Sequence, residues 1–226
     1  EIVETAMFDI GSVHRAQPGV ISITNTTELG TLYTAAEIKA LADYAHKHDL
    51  LLHLDGARLS NAAAALGMRF REFTTDVGVD IVSFGATKIG AMAAESVVVL
   101  NPTLVNAMPY LRKTSMQLAS KMRFVSAQII ALLENDLWRR NAEHANAMAK
   151  RLDAGLRAMG VEIPNPTEAN AVFPIFTAEQ TAKLQESYRF YMWNYATGQV
   201  RLMCAWDTTE ADVDGMLAAV KSVLGH

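Results

Sequence analysis

Residues 49–90 read DLLLHLDGARLSNAAAALGMRFREFTTDVGVDIVSFGATKIG. Within them, the apolar run 50–54 is closed by Asp55-Gly56, and a second run, 79–84, is closed by Gly85-Ala86-Thr87-Lys88. Short apolar runs that end in turn residues predict buried strands. Between them, residues 59–66 are Ala-rich and of helix-forming composition. The pattern predicts a strand–helix–strand unit whose crossover is long enough to make the two strands parallel, and hence an α/β protein. Ligands of open parallel sheets bind beyond the carboxyl ends of the strands. Asp55 and Lys88 fall at those ends, with Arg58 one turn further on.

A carboxylate beside a lysine that must lose a proton suits a cofactor with a basic ring nitrogen and an aldehyde. Pyridoxal phosphate meets both demands: Lys88 would form the Schiff base and Asp55 would keep the ring nitrogen protonated. The Thr87 hydroxyl is placed to reach the phosphate, and the Arg58 fork suits a carboxylate or the cofactor's phenolic oxygen. Asp-Gly after a strand is also an ordinary turn, and a strand-end lysine is often only solvated. Spacing alone leaves both readings open.

Working outward, residues 1–19 hold Gly11, Pro18 and Gly19 and read as helix remnant and loop. Residues 20–23 (VISI) predict another buried strand, with the polar cluster Thr24-Asn25-Thr26-Thr27-Glu28 at the same sheet edge as Asp55 and Lys88. Thr34 and Glu37 have capping-box spacing for a helix running to about His48, with His46 and His48 at its dipole end. Alternation puts His53 on the same side of its strand as Asp55, as partner to that carboxylate or as a core histidine. Residues 96–100 predict a further buried strand, and 103–133 a helical stretch in which Arg112, Lys113, Lys121 and Arg123 are solvated charges or, for Arg123 above all, phosphate contacts. A helix over about 137–159 ends at Gly160. Past Pro164-Asn165-Pro166, strands over 171–176, 189–194 and 200–205 alternate with helices begun by Thr177 and by Thr208 or Thr209. The division expected is a partial large domain with a parallel-rich sheet over 1–135 and a small C-terminal α+β domain over 136–226.

The 226 residues carry a net charge of −4, half of them are apolar, and no basic run stands out, which argues against a nucleic-acid footprint. No apolar stretch reaches membrane-spanning length. The single cysteine, Cys204 in VRLMCAW, excludes an internal disulfide and reads as a core residue, compatible with a cytoplasmic protein. The sequence points to no metal site.

HLDGARLSNAAAALG (53–67), SFGATKIG (83–90) and TNTTELGTLYT (24–34) resemble the pyridoxal-phosphate-dependent threonine aldolases of the low-specificity bacterial kind, within the aldolase and β-eliminating lyase family. The resemblance runs through nearly the whole chain. It implies the type I, aspartate-aminotransferase-like fold. Lys88 would carry the cofactor and Asp55 would hold its ring nitrogen. Arg58 and Arg201 would hold the substrate carboxylate, with Asn25 or Thr26 near the phenolic oxygen. The implied reaction is aldol cleavage of L-threonine or L-allo-threonine type β-hydroxy-α-amino acids to glycine and an aldehyde, in a homodimer or homotetramer. A related lyase or aminotransferase shares the Asp and Lys logic, and a catalytically incomplete fragment is the rival of another class. The family usually has a polar residue where Ile89 stands. The chain begins at Glu1 and is expected to match the later part of such an enzyme, without the stretch that bears a phosphate-binding loop and a ring-stacking residue.

Overall fold

The computed structural model describes residues 2–8 and 10–225. A short helix α1 (Ile2–Met7) and a loop lead into β1 (Val20–Thr24), α2 (Ala35–Lys47), β2 (Leu51–Gly56), α3 (Leu59–Leu66), β3 (Ile81–Gly85) and β4 (Glu95–Val99). The sheet order is β1-β2-β3-β4. As the crossover argument requires, β1, β2 and β3 are parallel, with Thr24 opposite Asp55 and Asp55 opposite Ser83. The capping box at α2 is present: Glu37 N–H donates to Thr34 Oγ1 at 3.2 Å and Thr34 N–H donates to Glu37 Oε2 at 2.8 Å. His48 is the C-cap residue. His46 does more than meet the helix dipole, since its Nε2 lies 2.9 Å from the buried carboxylate of Asp80.

One face of the sheet is dry. Leu52, Leu54, Val82 and Phe84 pack against Ile38, Ala42 and Ala45 of α2 and Leu59, Ala62 and Ala63 of α3, each large aliphatic side chain contributing about 1.5–3 kcal/mol. The strands are therefore half-buried rather than fully buried, and their other face, with Ser22, His53, Asp55 and Ser83, is partly open.

Residues 96–100 do not make a buried strand. β4 is an antiparallel edge strand with Val97 62% and Val98 41% exposed. The link from Gly85 to Glu95 is shorter than the dozen or so residues a parallel crossover needs, so the chain must turn back. Its valines satisfy strand propensity without burial. The helical stretch over 103–133 is also divided, into a 3-10 turn (Pro102–Ala107), α4 (Met108–Thr114) and α5 (Arg123–Leu133). Met116 and Lys121, at positive φ, break it.

The remaining elements are α6 (Leu137–Ala158), β5 (Ala171–Val172), α7 (Ala178–Gln185), β6 (Tyr191–Asn194), β7 (Gln199–Met203) and α8 (Glu210–Leu224). The three strands form an antiparallel sheet in the order β5-β7-β6. β5 is shorter than the 171–176 run because Pro174 has no N–H to continue the ladder, leaving only a bridge from Ile175 to Gln199. Thr177 and Thr209 cap α7 and α8, each within a capping box. Gly160, at positive φ, follows the C-cap residue Met159 of α6. Leu152, Leu156, Val172, Val200, Leu202 and Val220 form a second core. Cys204 lies in it, its thiol pushed up to about 11 by burial, which leaves it inert as a nucleophile. Helix α6 serves both cores: Trp138 and Ala142 belong to the first, Met148 and Leu152 to the second.

Candidate active site

The carboxyl ends of β2 and β3 approach closely because two glycines let them. A Cβ at Gly85 would stand 2.7 Å from Ala57 Cα and from Ala57 O, and one at Gly56 would stand 2.9 Å from Ser83 O. Side chains there would drive the Asp55 turn and the Lys88 turn apart. Within the first turn, Ala57 N–H donates to Asp55 Oδ1 at 2.9 Å, which fixes the carboxylate and leaves Oδ2 for another donor. Asn25 N–H donates to Asp55 O at 3.0 Å, drawing the end of β1 alongside.

Lys88 sits in a single 3-10 turn, Thr87–Ile89, that is closed on itself. Ala94 N–H donates to Thr87 Oγ1 at 3.0 Å, and that hydroxyl donates to Ala94 O at 3.3 Å. The Thr87 hydroxyl thus braces the lysine loop. Gln128 of α5 accepts from Met92 N–H and Ala93 N–H at 2.9 and 3.1 Å. Asn141 of α6 donates to Ile89 O at 2.8 Å. Ile89 is buried in the first core and anchors the loop there. The Lys88 side chain is exposed, with no hydrogen bond or ion pair among the described residues.

Arg58 is the N-cap residue of α3, and it is half-buried. Arg201 lies on β7 with its guanidinium carbon 5.3 Å from the centroid of the Trp193 ring. Its Nε is buried without a hydrogen-bond partner. Burial first, and then the positive charge of Arg201, pull the Arg58 guanidinium below its ordinary value, while Glu28 and Asp55 act in the opposite direction. The structure therefore brings together Asp55, Arg58, Arg201 and Glu28 at the mouth of the β2–β3 crevice. Two guanidiniums thus repel each other across a partly dry space, with the carboxylates of Glu28 and Asp55 in range to offset them.

The other residues picked from the sequence are arranged differently. Asn25 is buried and turned inward, its Nδ2 donating to Tyr33 O at 3.1 Å and its Oδ1 accepting from Tyr33 N–H at 3.2 Å, so it closes the loop after β1. Thr26 is buried next to it. Arg123 is exposed on the first turn of α5, away from the contact that Gln128 makes. Gln128 and Asn141 escaped the sequence reading, which places Glu28 at this sheet edge with no role given to it. The first two are polar residues on helices with no motif around them, and Glu28 is a loop carboxylate whose proximity to Arg58 only the fold creates.

The sequence pattern of the family described as Beta-eliminating lyase matches residues 1–179. The chain is 40% identical over 214 residues to the low specificity L-threonine aldolase of Pseudomonas sp. (strain NCIMB 10558), an overlap covering 94% of this chain and 62% of that protein. Among solved structures it is similar to the threonine aldolase of Leishmania major, with a TM-score of 0.90, 30% identity, and coverage of 98% of this chain and 66% of that one. Similarity to serine palmitoyltransferase of Sphingomonas wittichii, at a TM-score of 0.65 and 14% identity over 92% of this chain and 55% of that one, is a likeness of fold. The architecture is the α/β fold of the type I pyridoxal-phosphate-dependent enzymes. The chain belongs to the β-eliminating lyase family. It spans about three-fifths of the length of the curated relatives it matches.

Proposed function

We propose that this chain forms the lysine-bearing part of a pyridoxal-phosphate-dependent aldolase that cleaves β-hydroxy-α-amino acids of the L-threonine or L-allo-threonine kind to glycine and an aldehyde. The observation that carries the reading is the set of unmatched polar atoms at one sheet edge: Asp55 Oδ2, the Lys88 amine, and the guanidiniums of Arg58 and Arg201. These fit the cofactor and an amino-acid substrate group by group. When bound, pyridoxal phosphate supplies an aldehyde for an amine and a ring that takes up the charge left when the Cα–Cβ bond breaks.

The residues of this chain do the rest. Lys88 offers its amine as the attachment point, on a loop held rigid by Thr87, Gln128 and Asn141. Asp55, oriented by Ala57 N–H, holds a proton at the ring nitrogen through its second oxygen. Arg58 and Arg201 grip the substrate carboxylate and so fix the rotation about Cα, which decides the bond presented for cleavage. Trp193 backs the Arg201 guanidinium and limits its wandering. A homo-oligomer in the cytoplasm belongs to the same reading. Exposed Tyr110, Leu111, Phe124 and Ile130 on α4 and α5 support the first, and a lone buried cysteine supports the second.

The test is chemical labelling with product analysis. Borohydride added after pyridoxal phosphate should leave a pyridoxyl group on Lys88, located by peptide mass, and L-threonine should yield glycine and acetaldehyde. Label elsewhere, or none, would overturn the lysine assignment, and pyruvate with ammonia would reassign the reaction as β-elimination.

A further inference from the structure

The 3-10 turn that bears Lys88 ends at Gly90, and side chains from three places in the fold close around that glycine. A Cβ built on it would stand 3.0 Å from Asn141 Nδ2 of α6, 3.6 Å from Leu132 Cδ2 of α5 and 3.6 Å from Trp206 Cδ2. Asn141 already braces the loop through Ile89 O, and Leu132 belongs to the first core. Trp206 comes from the other sheet, just past the end of β7. Among the described residues it belongs to neither core and stays 42% exposed. What its indole covers is the backbone of the lysine loop.

The turn that carries Trp206 is itself fixed. Thr208 N–H donates to Ala205 O at 3.2 Å and Ala205 N–H donates to Thr208 Oγ1 at 2.8 Å, so residues 205–208 close on themselves. His144 Nε2 donates to Thr208 O at 2.6 Å, since a carbonyl oxygen can only accept. His144 and Asn141 are an i,i+3 pair on one face of α6. One helix face therefore holds the lysine loop and the Trp206 turn together. Arg201 lies on the same strand that leads into this turn. An α-amino acid separates its nitrogen from its carboxylate by a single carbon, so a substrate that meets Lys88's cofactor and Arg201 at once tolerates little drift between them.

We propose that Trp206 is a positioning residue that registers the Arg201-bearing strand against the Lys88 loop. The loop keeps its own braces in Thr87, Gln128 and Asn141, and Arg201 keeps its backing in Trp193. What Trp206 adds is their mutual placement. This rests on the reading of Lys88 as the attachment point of pyridoxal phosphate and of Arg201 as a ligand of the substrate carboxylate.

Hydrogen exchange in the cofactor-free protein tests the contact alone. The amides of Ile89, Gly90 and Ala91 close the lysine turn. Trp206→Ala should speed their exchange roughly tenfold, and Trp206→Phe should restore most of the protection. Unchanged exchange in Trp206→Ala would overturn the proposal whether or not the cofactor binds. Titrations followed by visible absorbance then separate registration from general damage. In Trp206→Ala, pyridoxal phosphate and then ethylamine, which has no carboxylate, should each bind within about twofold of the parent, while glycine should bind roughly tenfold more weakly, the scale of one lost hydrogen bond to a charged group. Equal weakening of ethylamine and glycine, or of neither, would refute the positioning role. In an Arg201→Gln background, Trp206→Ala should cost glycine nothing further, and an additive loss would refute it as well. A parent band that survives Lys88→Ala would instead sink the cofactor reading, leaving hydrogen exchange to decide on Trp206.

Discussion

Asp80, just ahead of β3, and the charged groups just beyond its other end live in opposite circumstances. Asp80 is 3% exposed, and its side chain is fully engaged. Oδ2 accepts from Leu52 N–H at 2.7 Å and lies 2.9 Å from His46 Nε2, and Oδ1 accepts from Asn101 Nδ2 at 2.7 Å. Its backbone oxygen takes the N–H groups of Leu100 and Asn101. At the far end, Lys88, Arg58 and Arg201 are held by their backbones and neighbours, yet no ion pair joins them to an acid among the described residues. Saturation marks a group that serves the scaffold, and the unsaturated set at the other end is the one proposed above to hold cofactor and substrate.

The sharpest way to break this contrast is to damage each end in turn. Asp80→Asn puts an amide donor against groups that all donate to the carboxylate, and it should cost about 3 kcal/mol of stability, read by denaturant unfolding. A loss below about 1 kcal/mol would show that the network is dispensable. Arg58→Leu removes a half-buried cation that is repelled by Arg201, so the unfolding midpoint should hold or rise slightly. KM for the amino acid should nonetheless increase roughly tenfold or more; destabilisation with unchanged KM would reverse the assignment of the two ends.

The smallest expected effect is on acid stability. Burial pushes the Asp80 carboxyl up, but its hydrogen bonds from Leu52, His46 and Asn101 and the charge of His46 outweigh it and leave the group below its ordinary value. A carboxyl that titrates lower when folded stabilises the protein fully above its unfolded value of about 3.9, and the contribution is lost as pH falls through the folded value. Asp80→Asn should therefore flatten that part of the acid-unfolding curve, and a curve of unchanged shape would remove Asp80 from the account.

The strand exits at Asp55 and Lys88 were legible because apolar runs that stop at turn residues report both a strand and its end. The parallel pairing followed from crossover length, and the caps at Thr34 and Thr177 from local spacing. What escaped is non-local. The direction of β4 depends on the length of the lysine loop, the break at Met116 and Lys121 on backbone conformations their side chains do not advertise, and the truncation of β5 on one proline. His46 reads as a helix-end residue until the fold sets Asp80 beside it. Gln128 and Asn141 likewise acquire meaning only from the loop they touch.

Helix α6 sets a length as well as a contact. Asn141 holds Ile89 O, next to Lys88, and Asn146 exchanges hydrogen bonds with Asn61 of α3, the helix that Arg58 begins. Five positions separate the two asparagines, which on an α-helix is a rise of about 7.5 Å. The interval between the lysine loop and the arginine-bearing helix is thus ruled off by the axial rise of a single helix, a fixed length built into the scaffold.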